Sequence, residues 1–213
     1  MKHIDFWFDP ISPYAYLAFE RLPEAFVGIS YRVAYRPILF GALLKHHAHK
    51  GPAEIEPKRA WTFRQVHWLA RRAGIAIDTP AWHPFNPLAL SRLAWACAAK
   101  GATPNRYVCE ALLRHVWIGG ADAEAPSRLE SLREHLAPSL EPAGDEAKQR
   151  LRDATDAAIA RGLFGVPTIA IDDRLFWGLD AFDMAAACLH GDAWFAESHW
   201  EREGAPRPGV TRR

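Results

Sequence analysis

The chain has 213 residues, 49% hydrophobic and 24% charged, with a formal net charge of +1. That balance suits a globular domain that buries roughly 70% of its unfolded surface. It gives no electrostatic footing for nucleic acid or an anionic membrane, and no apolar run approaches the length of a bilayer span.

In chain order, Ile4–Phe8 reads as a short buried strand, followed by a helix from Pro13 to about Phe26. A second strand is predicted over Ser30–Arg36, where Tyr31, Val33 and Tyr35 alternate with Arg32 and Ala34. From about Gly41 to Arg161 the pattern is almost wholly helical. Glu56-Pro57 opens one helix that stops at Gly74, and Asn86-Pro87 opens another that stops at Gly101. Thr103-Pro104 opens a third, Ser127-Arg128-Leu129-Glu130 reads as a capping box, and Asp145 begins the last, which ends at Gly162. Thr168–Ile171 and Leu175–Trp177 read as strands around a turn at Asp172-Asp173, ahead of a helix near Ala181–Leu189. This order predicts an α/β core from residues 1–40 and 162–195, carrying a helical domain inserted over 41–161. Glu201–Arg213 is polar, rich in Gly, Pro and Arg, and reads as a mobile tail.

Cys97, Cys109 and Cys188 are far apart, and Cys97 and Cys188 sit in Ala- and Leu-rich helical stretches, which argues for packing rather than chemistry. Lys2-His3 leads straight into a strand, so no secretory leader is expected and a cytoplasmic location is. His46, His47, His49 and His83 allow a metal site to be drawn. Adjacent His46 and His47 point apart on any regular element, and no His-Glu-x-x-His or cysteine pair supports them, so no metal is expected.

Ser12-Pro13-Tyr14-Ala15 joins the first strand to the first helix. Ser12 suits an N-cap and Pro13 the first helical position. Thioredoxin-like proteins keep a Cys-x-x-Cys at such a junction. Here Ser12 and Ala15 replace both cysteines, so this site cannot exchange disulfides. Its helix N-terminus can still favour an anion, such as the thiolate of another molecule. Lowering a thiol pKa by about two units takes about 2.7 kcal/mol, part of which a hydroxyl and a helix end can supply. Ser12 therefore has two readings at this point, cap and thiolate holder. A second segment, Gly165-Val166-Pro167-Thr168 before a strand, has the form of the cis-proline loop that faces the active-site helix in thioredoxin-like folds. Val166–Pro167 is accordingly expected to be cis, beside Ser12.

With these segments, the chain resembles the 2-hydroxychromene-2-carboxylate isomerase family, the glutathione-dependent branch of the DsbA-like and kappa-class glutathione transferase group. The likeness extends to about residue 195 and includes Pro52-Ala53-Glu54 through Lys58-Arg59-Ala60-Trp61, His83-Pro84-Phe85-Asn86-Pro87-Leu88 and Phe176-Trp177-Gly178-Leu179-Asp180. It implies a thioredoxin-like fold with a large helical insertion, glutathione as cofactor, a small aromatic substrate and neither nucleic acid nor membrane as partner. A homodimer is compatible with it.

The resemblance also implies roles. Ser12 would hold and activate the sulfur, and Val166 and Pro167 would pin the glutathione backbone. Lys58 would take a carboxylate, while Trp177, Gly178, Leu179 and Asp180 would meet the γ-glutamyl end, and Asn86 would orient substrate. Lys58 can also be read as a solvated lysine balanced by Glu54 and Glu56, and Asp180 as the N-cap of the last helix. His49 stands where the family commonly has asparagine, and Ala181 where it usually has arginine, so the substrate need not be that of the naphthalene pathway. The activity implied is cis/trans isomerisation of an aromatic, conjugated 2-oxo acid. A kappa-like transferase or peroxidase, and a non-catalytic thioredoxin-fold binding module, stay open beside it.

Overall fold

The computed structural model describes residues 1–196, 199–205 and 209. Its centre is a mixed sheet of β1 (Lys2–Phe8), β2 (Tyr31–Pro37), β3 (Thr168–Ile171) and β4 (Arg174–Trp177) in the order β2-β1-β3-β4. β1 and β2 run parallel, joined by α1 (Pro13–Ala25), while β3 is antiparallel to both β1 and β4. This is the thioredoxin-like core.

The pleat of β1 divides the interior. Ile4, Phe6 and Phe8 pack on one face with Ala15, Leu17 and Phe19 of α1 and with Phe182 and Ala185 of α8 (Phe182–His190). Trp7 points the other way, into a cluster with Ile38, Leu43, Leu151, Ala158 and Val166. A strand buried on both faces needs an apolar residue at nearly every position. Lys2 and His3 at its start are exposed, and within the buried stretch the exception is Asp5, which is paired with Arg36 and Arg161 at 2.7 and 3.0 Å.

Between β2 and β3 run α2 (Phe40–His46), α3 (Glu56–Ala73), α4 (Leu88–Ala96), α5 (Arg106–Trp117), α6 (Pro126–Leu136) and α7 (Asp145–Ala160). Three expected boundaries move. α4 ends at Cys97 instead of Gly101 because other segments satisfy its last carbonyls. Leu140 N–H and Ser139 Oγ both donate to Ala96 O at 3.2 Å, and Arg150 donates to Trp95 O at 3.4 Å and to Ala98 O, just past the cap, at 2.7 Å. α5 is capped by Asn105, whose side chain accepts the Val108 N–H at 3.0 Å, instead of starting at Thr103-Pro104. The capping box at Ser127 does not form: Pro126 takes the first helical position, the N-cap is Ala125, and Ser127 lies inside α6.

Two short helices, α9 (Ala193–Ala196) and α10 (His199–Gly204), follow α8. They form where Phe195 and Trp200 pack on Phe176, with ring centroids 6.0 and 5.3 Å away. The segment expected to be a mobile tail thus begins as helix over Glu201–Gly204, and 206–208 and 210–213 lie outside the described residues. No helix among the described residues is long and apolar enough to cross a membrane.

Candidate active site

β1 delivers the chain to α1 through Asp9-Pro10-Ile11. Ser12 has extended backbone (φ −89°, ψ 116°), and its Oγ accepts the Ala15 N–H at 3.2 Å, so it caps α1 as expected. That bond uses a lone pair and leaves the hydroxyl proton free, and no acceptor takes it among the described residues. The cap and a sulfur-holding role are therefore compatible. Ser12 is 8% exposed.

The register Trp7↔Thr168 sets Pro167 beside the end of β1, next to the loop that leads to Ser12. Val166–Pro167 is cis, as is His83–Pro84. Pro167 O accepts the Gly178 N–H at 2.9 Å, and Thr168 Oγ1 donates to Gly165 O at 2.8 Å. Neither the N–H nor the C=O of Val166 is taken up by another group among the described residues. The half-exposed rings of Phe164 and Trp177 meet edge to face beside them, 4.9 Å apart.

The charged groups approach from two sides. The turn Leu179–Ala181 packs against α1, and Asp180 lies close enough to Tyr14 to act on its phenol. Burial lifts that phenol above its ordinary range, a hydrogen bond with Thr62 opposes this, and the charge of Asp180 adds to the rise. Asp180 does not cap α8. The N-cap there is Ala181, already helical, and the Asp180 carboxylate folds back over Gly178 (φ +97°). The N-cap expectation is corrected, because the turn runs directly into the helix.

Lys58 lies in the first turn of α3, exposed and without an ion pair to Glu54 or Glu56; Glu54 instead accepts the Gly51 N–H at 2.6 Å. Lys58, Thr62 and Gln65 share one helical stripe, and Tyr14 Oη donates to Gln65 Oε1 at 2.6 Å. Lys58 is thus one turn along the face that meets the start of α1. His49 is exposed, with its ring 6.3 Å from that of His47, whose Nε2–H donates to Leu163 O at 3.0 Å just ahead of the cis-proline loop. Asn86 stands apart. Its side chain accepts the Leu88 N–H at 3.1 Å to start α4, and it borders a separate hollow of about 200 Å³ with Arg92 and Glu124.

The chain's own thiols are unsuited to nucleophilic work here. Burial pushes Cys97 up to about 11, and Cys109 well above its ordinary value. Among the described residues, no three His, Cys, Asp or Glu side chains are grouped to hold a metal ion. His83 instead supports the loop before α1. Its Nε2–H donates to Ile11 O at 2.9 Å, within an aromatic surround of Phe63, Phe85 and Trp117. Burial lowers its pKa, the Ile11 bond opposes this, and Arg59 lowers it further. The indole of Trp117 donates to Pro10 O at 2.9 Å. Sequence patterns missed these supports, and they missed the wholly buried Asp9 carboxyl. Only its place at the strand end, before a proline, marked it.

The family model described as DSBA-like thioredoxin domain matches residues 3–190. The chain belongs to that family. It is 28% identical over 201 residues to a 2-hydroxychromene-2-carboxylate isomerase of Sphingobium xenophagum, covering 88% of this chain and 98% of that protein. Glutathione S-transferase kappa 1 of Homo sapiens is 24% identical over 210 residues, covering 91% and 92%. A solved structure of 2-hydroxychromene-2-carboxylate isomerase superposes with a TM-score of 0.77 at 21% identity, over 91% of this chain and 97% of that one. The last of these shows the shared fold. The curated relatives in this family are enzymes, and the resemblance read from Ser12-Pro13-Tyr14-Ala15 and Gly165–Thr168 is shown.

Proposed function

We propose that the protein is a glutathione-dependent cis/trans isomerase of an aromatic, conjugated 2-oxo acid, akin to its 2-hydroxychromene-2-carboxylate isomerase relatives. The observation that carries this reading is the unengaged Val166 N–H and C=O, set beside the Ser12 helix end in a chain with no dithiol there.

The residues fit glutathione. The Val166 backbone offers a donor and an acceptor of the kind that pairs with a peptide, with Pro167 fixing the loop. Lys58 and Asp180, opposite in sign and free of ion pairs among the described residues, suit a carboxylate and an ammonium group. Trp177, Gly178 and Leu179 carry Asp180 to this place, and His49 lies beside His47, which is bonded to Leu163 O ahead of the loop. When bound, glutathione supplies a thiol that adds reversibly to a conjugated carbon and so allows rotation about the former double bond.

The rest is the work of this chain. Ser12 would give the sulfur a hydrogen bond from its free hydroxyl, and the α1 N-terminus would favour the anionic form. The Phe164–Trp177 edge would give an aromatic substrate an apolar wall. Asn86 reaches substrate only if the hollow beside α4 opens toward Ser12.

The test is turnover of such a substrate with reduced glutathione, following isomer absorbance and free thiol together. Interconversion at constant thiol supports the isomerase. Falling thiol supports a transferase or peroxidase, the reading suggested by the kappa relative. Neither turnover nor glutathione binding would leave a binding module.

A further inference from the structure

Asp9 is wholly buried, yet no cation among the described residues touches its carboxylate. Oδ1 accepts the Ile11 N–H at 3.0 Å, and Oδ2 accepts the Phe40 N–H, the first of α2, at 2.8 Å. Its main-chain carbonyl accepts the Ser12 N–H at 3.0 Å. One residue therefore fastens the loop before α1 to the start of α2. From the far end of α2, His47 donates to Leu163 O, two residues short of Gly165 and the Val166 backbone. A buried carboxylate held only by two amides is costly. An apolar residue would avoid that cost, but it would leave the Ile11 and Phe40 N–H groups without their acceptor and would not make this connection.

We propose that Asp9 is a positioning residue: through its bonds to Ile11 and Phe40, and through α2 and His47, it sets the gap between Ser12 and the Val166 backbone. Its effect on ligand rests on the glutathione reading above, but the linkage itself does not. His83 on Ile11 O and Trp117 on Pro10 O hold the carbonyls of the same loop whose N–H groups meet Asp9. The titratable groups tied to the same loop and helix, His83 on Ile11 O and His47 on Leu163 O, spend their bonds on backbone, and Arg36 pairs with Asp5. None is hydrogen-bonded or ion-paired to Asp9. Burial lifts the carboxyl to about 7, so the clip loosens as pH falls through that value, when protonation removes the charge that both amides point at.

The test is amide NMR of the whole protein between pH 5.5 and 8.5, on wild type and Asp9→Asn, with reduced glutathione titrated calorimetrically at both ends. In wild type the Ile11, Phe40, Ser12 and Val166 amides shift with one midpoint near 7, which Asp9→Asn abolishes. Glutathione binds the variant roughly tenfold more weakly, the factor that about 1.4 kcal/mol gives. A Val166 amide that stays still while Ile11 and Phe40 titrate would overturn the proposal. So would a midpoint that survives in Asp9→Asn, since it belongs to His47 or His83. If the variant fails to fold, the wild-type titration of Val166 still decides. Wild type that binds no glutathione at any pH refutes the proposed function, and the amides still judge Asp9.

Discussion

The indole nitrogen of Trp177 occupies the space that a side chain at Gly165 would need. This contact sets the aromatic edge formed by Phe164 and Trp177 directly over the loop that carries Val166.

Gly165→Ala should force the indole out or shift the loop. Overpacking of this kind costs about 1–3 kcal/mol, and glutathione binding should weaken with it. Urea unfolding and calorimetry on the variant measure both. Wild-type stability and affinity would show that Trp177 swings away freely and does not shape the site.

Lys58→Ala isolates a charge. The side chain is exposed and unpaired among the described residues, so stability should move by less than about 0.5 kcal/mol. Loss of a charge-assisted bond to a glutathione carboxylate should cost about 1.5–3 kcal/mol of binding. Equal affinities in a calorimeter would return Lys58 to the role of a solvated lysine.

Asp9 makes folding stability depend on pH. Its carboxyl titrates near 7 when folded, against 3.8 for an exposed aspartate. The folded chain therefore holds a proton that the unfolded chain releases between about pH 4 and 7, and stability falls as pH rises through that window. The contribution is at most roughly 4 kcal/mol. Asp9→Asn should flatten this part of the profile, as measured by urea unfolding at pH 5 and 8. Parallel profiles for the two proteins would contradict the raised carboxyl.

Much of the fold was legible in local patterns. Ser12 with Pro13 marked a helix start, and the Thr168–Ile171 strand after Gly165-Val166-Pro167 has the bounds expected of it. Local patterns failed where a distant group decides. Gly101 has the look of a helix stop, but Arg150, Ser139 and Leu140 end α4 earlier by taking its carbonyls. α9 and α10 exist because Phe195 and Trp200 find Phe176, a contact no window of residues contains. Asp9 looks like an ordinary strand-end residue, and His83 stands out only as a possible metal ligand and a motif member, since only burial among distant elements makes them supports for the loop before Ser12.

The proposed chemistry depends on Ser12 stabilising a thiolate supplied by glutathione. Ser12→Ala removes the hydroxyl and the bond to the Ala15 N–H together, so a stability loss of about 1 kcal/mol is expected either way. The deciding measurement is thiolate absorbance of bound glutathione across pH, in wild type and Ser12→Ala. If Ser12 holds the sulfur, the variant's curve moves to higher pH and turnover falls more than affinity. Coincident curves, with glutathione bound in both proteins, would contradict this role and leave Ser12 a helix cap alone.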